Sequence, residues 1–158
     1  MRVKDVMTTN VACVRASESL SEAARLMWDC DCGSLPVKED GSERIVGMIT
    51  DRDICMATWS RNRPPSAIGI SEVMASDLHF VTPDDRVSTA ENMMRSKQIR
   101  RIPVLDDDRQ LVGILSLADI ATQSQSVGER AENDLAPATI ATTLANICRP
   151  RQQPSAAF

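Results

Sequence analysis

The chain has 158 residues, 42% apolar and 25% charged, with a formal charge of −4 and a pI near 5.0. This suits a globular unit with a buried core and offers no basic surface for following nucleic-acid phosphates. Two Trp, two Phe and no Tyr leave little for base stacking, and no run approaches the roughly 18 to 20 apolar residues that span a bilayer. The N-terminus has no signal-type apolar region. The five cysteines show no framework spacing and fit a reducing compartment, so a cytoplasmic location is expected.

In chain order, Val6-Met7-Thr8 leads into Val11-Ala12-Cys13-Val14, whose period-2 alternation predicts a half-buried strand. A helix follows. Ser19 with Glu22 three residues on is a capping-box signal, and Leu20, Ala23, Ala24 and Met27 share one face. Gly33-Ser34-Leu35-Pro36-Val37 reads as a strand. Pro36 has no N–H for a ladder, so that strand is expected at an edge or broken there. A polar turn over residues 38–41 joins it to a second strand over 44–49. Thr50 then stands as N-cap of a helix that includes Asp53.

A linker over residues 60–70, with Pro64-Pro65 and Gly69, separates this unit from a second copy of the same pattern. Val73-Met74-Ala75 and His79-Phe80-Val81-Thr82 repeat the opening and the first strand. Val87, Ala90, Met94 and Lys97 repeat the helical phase, with a weaker start signal. Arg100-Arg101-Ile102-Pro103-Val104 and Leu111-Val112-Gly113-Ile114-Leu115 repeat the hairpin, and Ser116 and Asp119 repeat the cap. Pro36 and Pro103 lie 67 residues apart, Asp53 and Asp119 66 apart, so an internal duplication is present with one deletion in the turn.

Each unit reads β-α-β-β-α, an α/β (α+β) fold class with two repeats around a shared core. The expected divisions are residues 7–66, 74–130 and a tail, 131–158. In the tail, Asn133-Asp134 is a candidate cap for a helix through Ile140, Leu144 and Ile147, ending at Arg149-Pro150. That amphipathic segment is expected to dock on the module or on a partner, with residues 151–158 disordered.

Four features occur twice in the same order: the Val-Met opening, the apolar-Pro-Val strand, Gly followed three residues later by Ser/Thr, and Asp three residues after that. With them the chain resembles a tandem pair of CBS (cystathionine β-synthase) domains, over about residues 6–125, of the short stand-alone bacterial type. The resemblance implies two repeats around a pseudo-twofold axis, a Bateman module, that commonly forms a disc-like homodimer. It also implies clefts that bind adenosine-containing ligands such as AMP, ADP, ATP or S-adenosylmethionine. Carried over residue by residue, cleft one would use Thr50 and Asp53 with Met74, His79, Arg100, Arg101 and Ile102. Cleft two would use Ser116 and Asp119 with Met7, Ala12, Gly33, Ser34 and Leu35.

The chemistry of these residue types suits such a ligand. The Asp accepts from ribose hydroxyls, and the Thr or Ser at a helix start suits a phosphate. Backbone groups beside each Pro can read a base edge, with Met7, Met74 and Ile114 against its face. The two arginines and His79 favour a phosphorylated ligand in cleft one. Simpler roles compete: Asp53 and Asp119 as first-turn acids, Thr50 and Ser116 as caps only, Arg100-Arg101 as a solvated pair, His79 as a structural histidine. No nucleophile–base pair is evident, so an enzyme is not expected. The expectation is therefore a regulatory sensor that requires no cofactor, binds no nucleic acid or membrane, and signals to another chain. The alternatives are a ligand-free structural or interaction dimer, and a redox- or metal-responsive module using Cys30, Cys32 and His79.

Overall fold

Ser19 and Glu22 form the capping box that their spacing predicts. The Glu22 N–H donates to Ser19 Oγ at 3.4 Å and the Ser19 N–H to Glu22 Oε2 at 3.2 Å. Helix α1 (Leu20–Asp29) follows, burying Leu20, Ala23 and Met27 on one face. A short strand β1 (Val14–Arg15) precedes it; β2 (Ser34–Lys38), β3 (Ile45–Thr50) and α2 (Asp51–Arg61) complete the first repeat. The second repeat contains α3 (Val87–Lys97), β4 (Arg101–Leu105), β5 (Leu111–Ser116) and α4 (Leu117–Val127), and helix α5 (Pro137–Ile147) comes last. The structure is a computed structural model that describes residues 1–127 and 137–149. The fold is mixed α+β, with one small sheet in each repeat.

Strand β2 pairs antiparallel with β3 and parallel with β1, and β4 pairs antiparallel with β5. Both proline strands run unbroken. Pro36 faces Met48, and Pro103 faces Ile114. Met48 and Ile114 use their own N–H and C=O groups on their far sides, with Ala75 and Thr8, at 2.9–3.1 Å. The missing proline donor therefore points away from the hairpin partner. It falls on the side where the first strand of each repeat would run.

This explains a correction to the sequence reading. Val11–Val14 and His79–Thr82 do not form full strands: β1 is two residues long, and Val81 makes only an isolated parallel bridge with Val104. The Val81 N–H donates to Pro103 O at 3.2 Å and the Leu105 N–H to Val81 O at 2.9 Å. One step further back, the ladder needs an N–H from Pro103, which has none, so it stops. Val14 lies opposite Val37, so the same stop applies at Pro36.

The buried residues form two clusters, one per repeat, and not the single shared core that the sequence suggested. The repeats are joined instead by an exchange of their opening segments. Val3, from before repeat one, is buried in the cluster of repeat two; Ile68 and Ile70, from before repeat two, are buried in that of repeat one. Thr8 pairs with Ile114 of β5, and Ala75 with Met48 of β3. The crossing segments are offset by 67 residues, Thr8 to Ala75, and their strand partners by 66, Met48 to Ile114, the same two spacings as in the sequence repeat.

Helix α5 packs against α3 and α4, confirming that the segment from Ala138 to Ile147 docks on the module. It carries no charged residue. Its attachment is polar at two points: Thr143 Oγ1 donates to the buried Glu91 Oε1 at 2.9 Å, and the Gln98 amide donates to the carbonyls of Asn146 and Arg149 at 3.2 and 3.0 Å. The candidate cap Asn133-Asp134 and residues 151–158 lie outside the described residues. Among the described residues no helix is long and apolar enough to cross a membrane.

Candidate functional site

Strands β3 and β5 end in the same device. The Thr50 N–H and Oγ1 both donate to Asp53 Oδ2, at 2.9 and 2.7 Å, and the Asp53 N–H returns to Thr50 Oγ1 at 3.2 Å. In repeat two the Ser116 N–H and Oγ donate to Asp119 Oδ2 at 2.8 and 2.7 Å, and the Asp119 N–H to Ser116 Oγ at 3.1 Å. Each is a capping box with Asp in the place of the usual Glu, satisfying two donors that a helix start leaves open. Both aspartates are half-buried, and their Oδ1 atoms have no hydrogen-bond partner among the described residues. The simple capping role of Thr50, Asp53, Ser116 and Asp119 is thus real, and it consumes one carboxylate oxygen of two.

Three residues before each cap stands a glycine, and the exchanged segments explain it. A Cβ built on Gly47 would lie 2.8 Å from the Ala75 carbonyl and 2.9 Å from Met74 Sδ; one on Gly113 would lie 2.7 Å from Met7 Sδ and 2.9 Å from the Thr8 carbonyl. Met74 therefore lies over the strand that leads to Thr50, and Met7 over the strand that leads to Ser116. These are the cross-repeat pairings that the resemblance assigned to clefts one and two.

The other candidate residues divide. Leu35 and Ile102 are fully buried in the cores, so only their backbone is available to a ligand; Ala12 packs against the first cluster. His79 lies 3.4 Å from the exposed Asp77 carboxylate through Nε2. Ser34 is buried, and its Oγ has no hydrogen-bond partner among the described residues. Arg101 is in register with Ser116 and Ser34 with Thr50, so each strand start sits beside the cap of its own repeat. The Asp51 N–H donates to Gly33 O at 3.2 Å and the Leu117 N–H to Arg100 O at 2.9 Å, which ties each helix start to its strand.

Gly33, Arg100, Arg101 and Ser116 meet in one cavity of about 880 Å³ between the repeats. A Cβ on Gly33 would lie 3.8 Å from an Arg101 guanidinium nitrogen and 3.1 Å from Asp51 Oδ2, so the two repeats come within side-chain reach there. Thr50, Asp53 and Asp119 are not on its wall. Residues that the sequence reading did not assign to a site also line it, including Asp51, Trp28, Leu117, Ile140 and Leu144. The only sequence signals for these were the position of Asp51 just after the cap and the apolar stripe of α5.

Burial pushes the Cys13 and Cys32 thiols up from their ordinary value, which works against thiolate ligation. Among the described residues no group of three or more His, Cys, Asp or Glu side chains is placed to hold a metal ion.

The family model of the CBS domain matches this chain twice, over residues 3–59 and 70–125. The chain belongs to the CBS domain family. This CBS pair is 40% identical to the CBS domain-containing protein YhcV of Bacillus subtilis (strain 168), over 78% of this chain and 86% of the relative. It is similar to the crystal structure of Hypoxic Response Protein I with two coordinated zinc ions, with 33% identity and TM-score 0.69 over 78% of this chain and 98% of that one. It is also similar to the CBS domain pair of protein MJ0100, solved with 5′-methylthioadenosine and S-adenosyl-L-methionine. There the identity is 27% and the TM-score 0.72, over 80% and 97% of the two chains. Both capping boxes and both crossings of this CBS pair lie inside the matched segments.

Proposed function

We propose that the chain is a cytoplasmic regulatory CBS pair that binds an adenosine-containing ligand, such as AMP, ADP or ATP, in clefts between its repeats. It acts as a homodimer and passes ligand occupancy to a partner protein. The observation that carries this reading is the duplicated capping box. Each aspartate is held by the cap through Oδ2 and keeps Oδ1 for a ribose hydroxyl. An acceptor already oriented by the fold loses little freedom on binding.

Other features support the same ligand class. Met74 and Met7 offer polarizable surface beside each cap. The buried Ser34 hydroxyl lacks a partner among the described residues, which costs about 1–3 kcal/mol until one is supplied. Arg100 and Arg101 have no side-chain ion pair or hydrogen bond among the described residues, leaving both guanidinium groups for a phosphate. The relative that holds 5′-methylthioadenosine and S-adenosyl-L-methionine shows the ligand class in this fold. All five cysteines are free thiols, in keeping with a reducing compartment.

A ligand gripped by both repeats favours one packing of the pair and shifts the conformational population toward it. Thermal denaturation with AMP, ATP, S-adenosylmethionine and zinc tests the reading. An adenosine ligand at about 100 times its Kd adds about 2.7 kcal/mol, an expected rise of about 5–11 °C in Tm. A response to zinc alone, or to none of the four, would refute it.

A further inference from the structure

Helix α5 begins beyond residue 125, where the second CBS match ends, yet Ile140 and Leu144 stand on the wall of the 880 Å³ cavity with Arg100, Arg101 and Ser116. The two side chains are four residues apart, so they share one face of the helix. Leu144 is 46% exposed, a large apolar surface that the protein's own cores leave uncovered. We propose that α5 completes the ligand site: Ile140 and Leu144 are specificity-determining contacts, and occupancy of the cavity holds the helix onto the module. This rests on the ligand reading above, and it names the element through which occupancy leaves the site.

Three observations carry it. First, α5 depends on the module for its existence. It has 11 residues and no charged side chain, and a helix that short, without ion pairs along its length, does not persist alone in water. Of its residues only Thr143 is buried, while Ile140 and Ile147 are partly buried against the core of repeat two. Undocked, the segment unfolds, so the docked and undocked forms are two discrete states with a modest gap between them.

Second, an anchor of α5 and the cations of the cavity belong to one short stretch, Gln98-Ile99-Arg100-Arg101. Gln98 ends α3 in the left-handed conformation, with φ of 54°, and its amide donates to the carbonyls of Asn146 and Arg149. Ile99 packs on the same core cluster as Ile140 and Ile147. The Arg100 carbonyl accepts from the Leu117 N–H at the start of α4. Docking of α5 thus steadies the backbone that carries both guanidinium groups.

Third, the size and chemistry of the cavity match a ligand that would touch the helix. A volume of 880 Å³ lies within the range of about 300–1,000 Å³ that takes small molecules. A phosphate on the arginines puts its ligand among the cavity walls, where it covers Leu144. That contact exists only while α5 is docked, so binding favours the docked state. By linkage, a site without its α5 wall binds more weakly by the same factor.

The test is hydrogen exchange of the full chain read by mass spectrometry, with and without saturating AMP, ATP or S-adenosylmethionine, beside calorimetric titration with the same compounds. In the wild type a bound ligand should slow exchange of the α5 amides about tenfold or more. The double variant Gln98→Asn/Thr143→Val cuts both polar anchors, and asparagine tolerates the left-handed backbone at position 98, so α3 keeps its end. Its α5 amides should exchange like those of an unfolded segment, and its affinity should fall by the factor that the wild-type exchange reports. Leu144→Ala should weaken binding about tenfold, whereas Ala141→Ser, exposed and off the cavity wall, should not.

A ligand that binds with no change in α5 exchange, and equally well to the double variant, overturns this inference and leaves the ligand reading intact. Faster α5 exchange on binding, or protection of α5 that persists in the double variant, also overturns it. No heat from any of the three compounds overturns both.

Discussion

Replacing Gly113 with valine is expected to cost about 3 kcal/mol of folding free energy, at the upper end of the usual range for overpacking a core. The first added carbon would lie 2.7 Å from Met7 Sδ, 3.1 Å from Met7 Cγ and 2.9 Å from the Thr8 carbonyl oxygen. A methionine end can swing away, but the carbonyl cannot. It accepts from the Ile114 N–H at 2.9 Å while the Thr8 N–H donates to Ile114 O at 2.9 Å, and retreat breaks both bonds. Urea denaturation measures the loss, and Gly41→Ala is the control. Gly41 has φ of +75° but nothing within 4 Å of an added Cβ, so it carries only a backbone cost of about 1 kcal/mol. Met7→Ala should not rescue Gly113→Val. Full rescue would mean that the methionine, and not the crossing backbone, requires the glycine.

Removing the hydroxyl of Thr143 should be similarly costly for its size. Thr143 and Glu91 are 0% and 3% exposed, and among the described residues that carboxyl has no side-chain hydrogen bond besides the one from Thr143. Thr143→Val keeps the shape and strands a buried acceptor, at a cost of about 2–3 kcal/mol. Glu91→Leu in the same chain should recover most of that, since replacing both partners leaves no orphan. A double-mutant cycle read by thermal melting checks this. Near-additive losses would show that the pair does not hold α5 in place.

The repeats, their helices and the caps were legible because each rests on local rules: apolar spacing, a hydroxyl with an acid three residues on, a glycine before a cap. The short first strands were not legible. Alternation in Val11–Val14 and His79–Thr82 signals a strand, but the donor that would extend it belongs to Pro36 or Pro103, some 20 residues away in the chain. The exchange of opening segments was hidden for a related reason. Val3 and Ile70 look like flanking residues of their own repeats, and only the tertiary crossing puts each in the other core.

The acids of the candidate site could be named from the repeated Ser/Thr-x-x-Asp alone. Their division of labour, one oxygen for the cap and one left over, required the geometry of the box. The inter-repeat cavity was legible only in part. Arg100, Arg101, Gly33 and Ser116 come from the repeated strand starts and the cap, whereas Trp28 and Leu144 come from helix faces whose neighbours are set by packing.

Calorimetric titration of the wild type, Asp53→Asn and Asp119→Asn with AMP, ATP and S-adenosylmethionine tests the ribose-acceptor claim most directly. Asparagine can keep accepting from Thr50 or Ser116, so folding should change by less than about 1 kcal/mol. Loss of the charged acceptor should weaken the site it serves about tenfold to a hundredfold, leaving the other site untouched. Unaltered affinity and stoichiometry in both variants, or no heat from any of the three ligands with the wild type, would contradict the account.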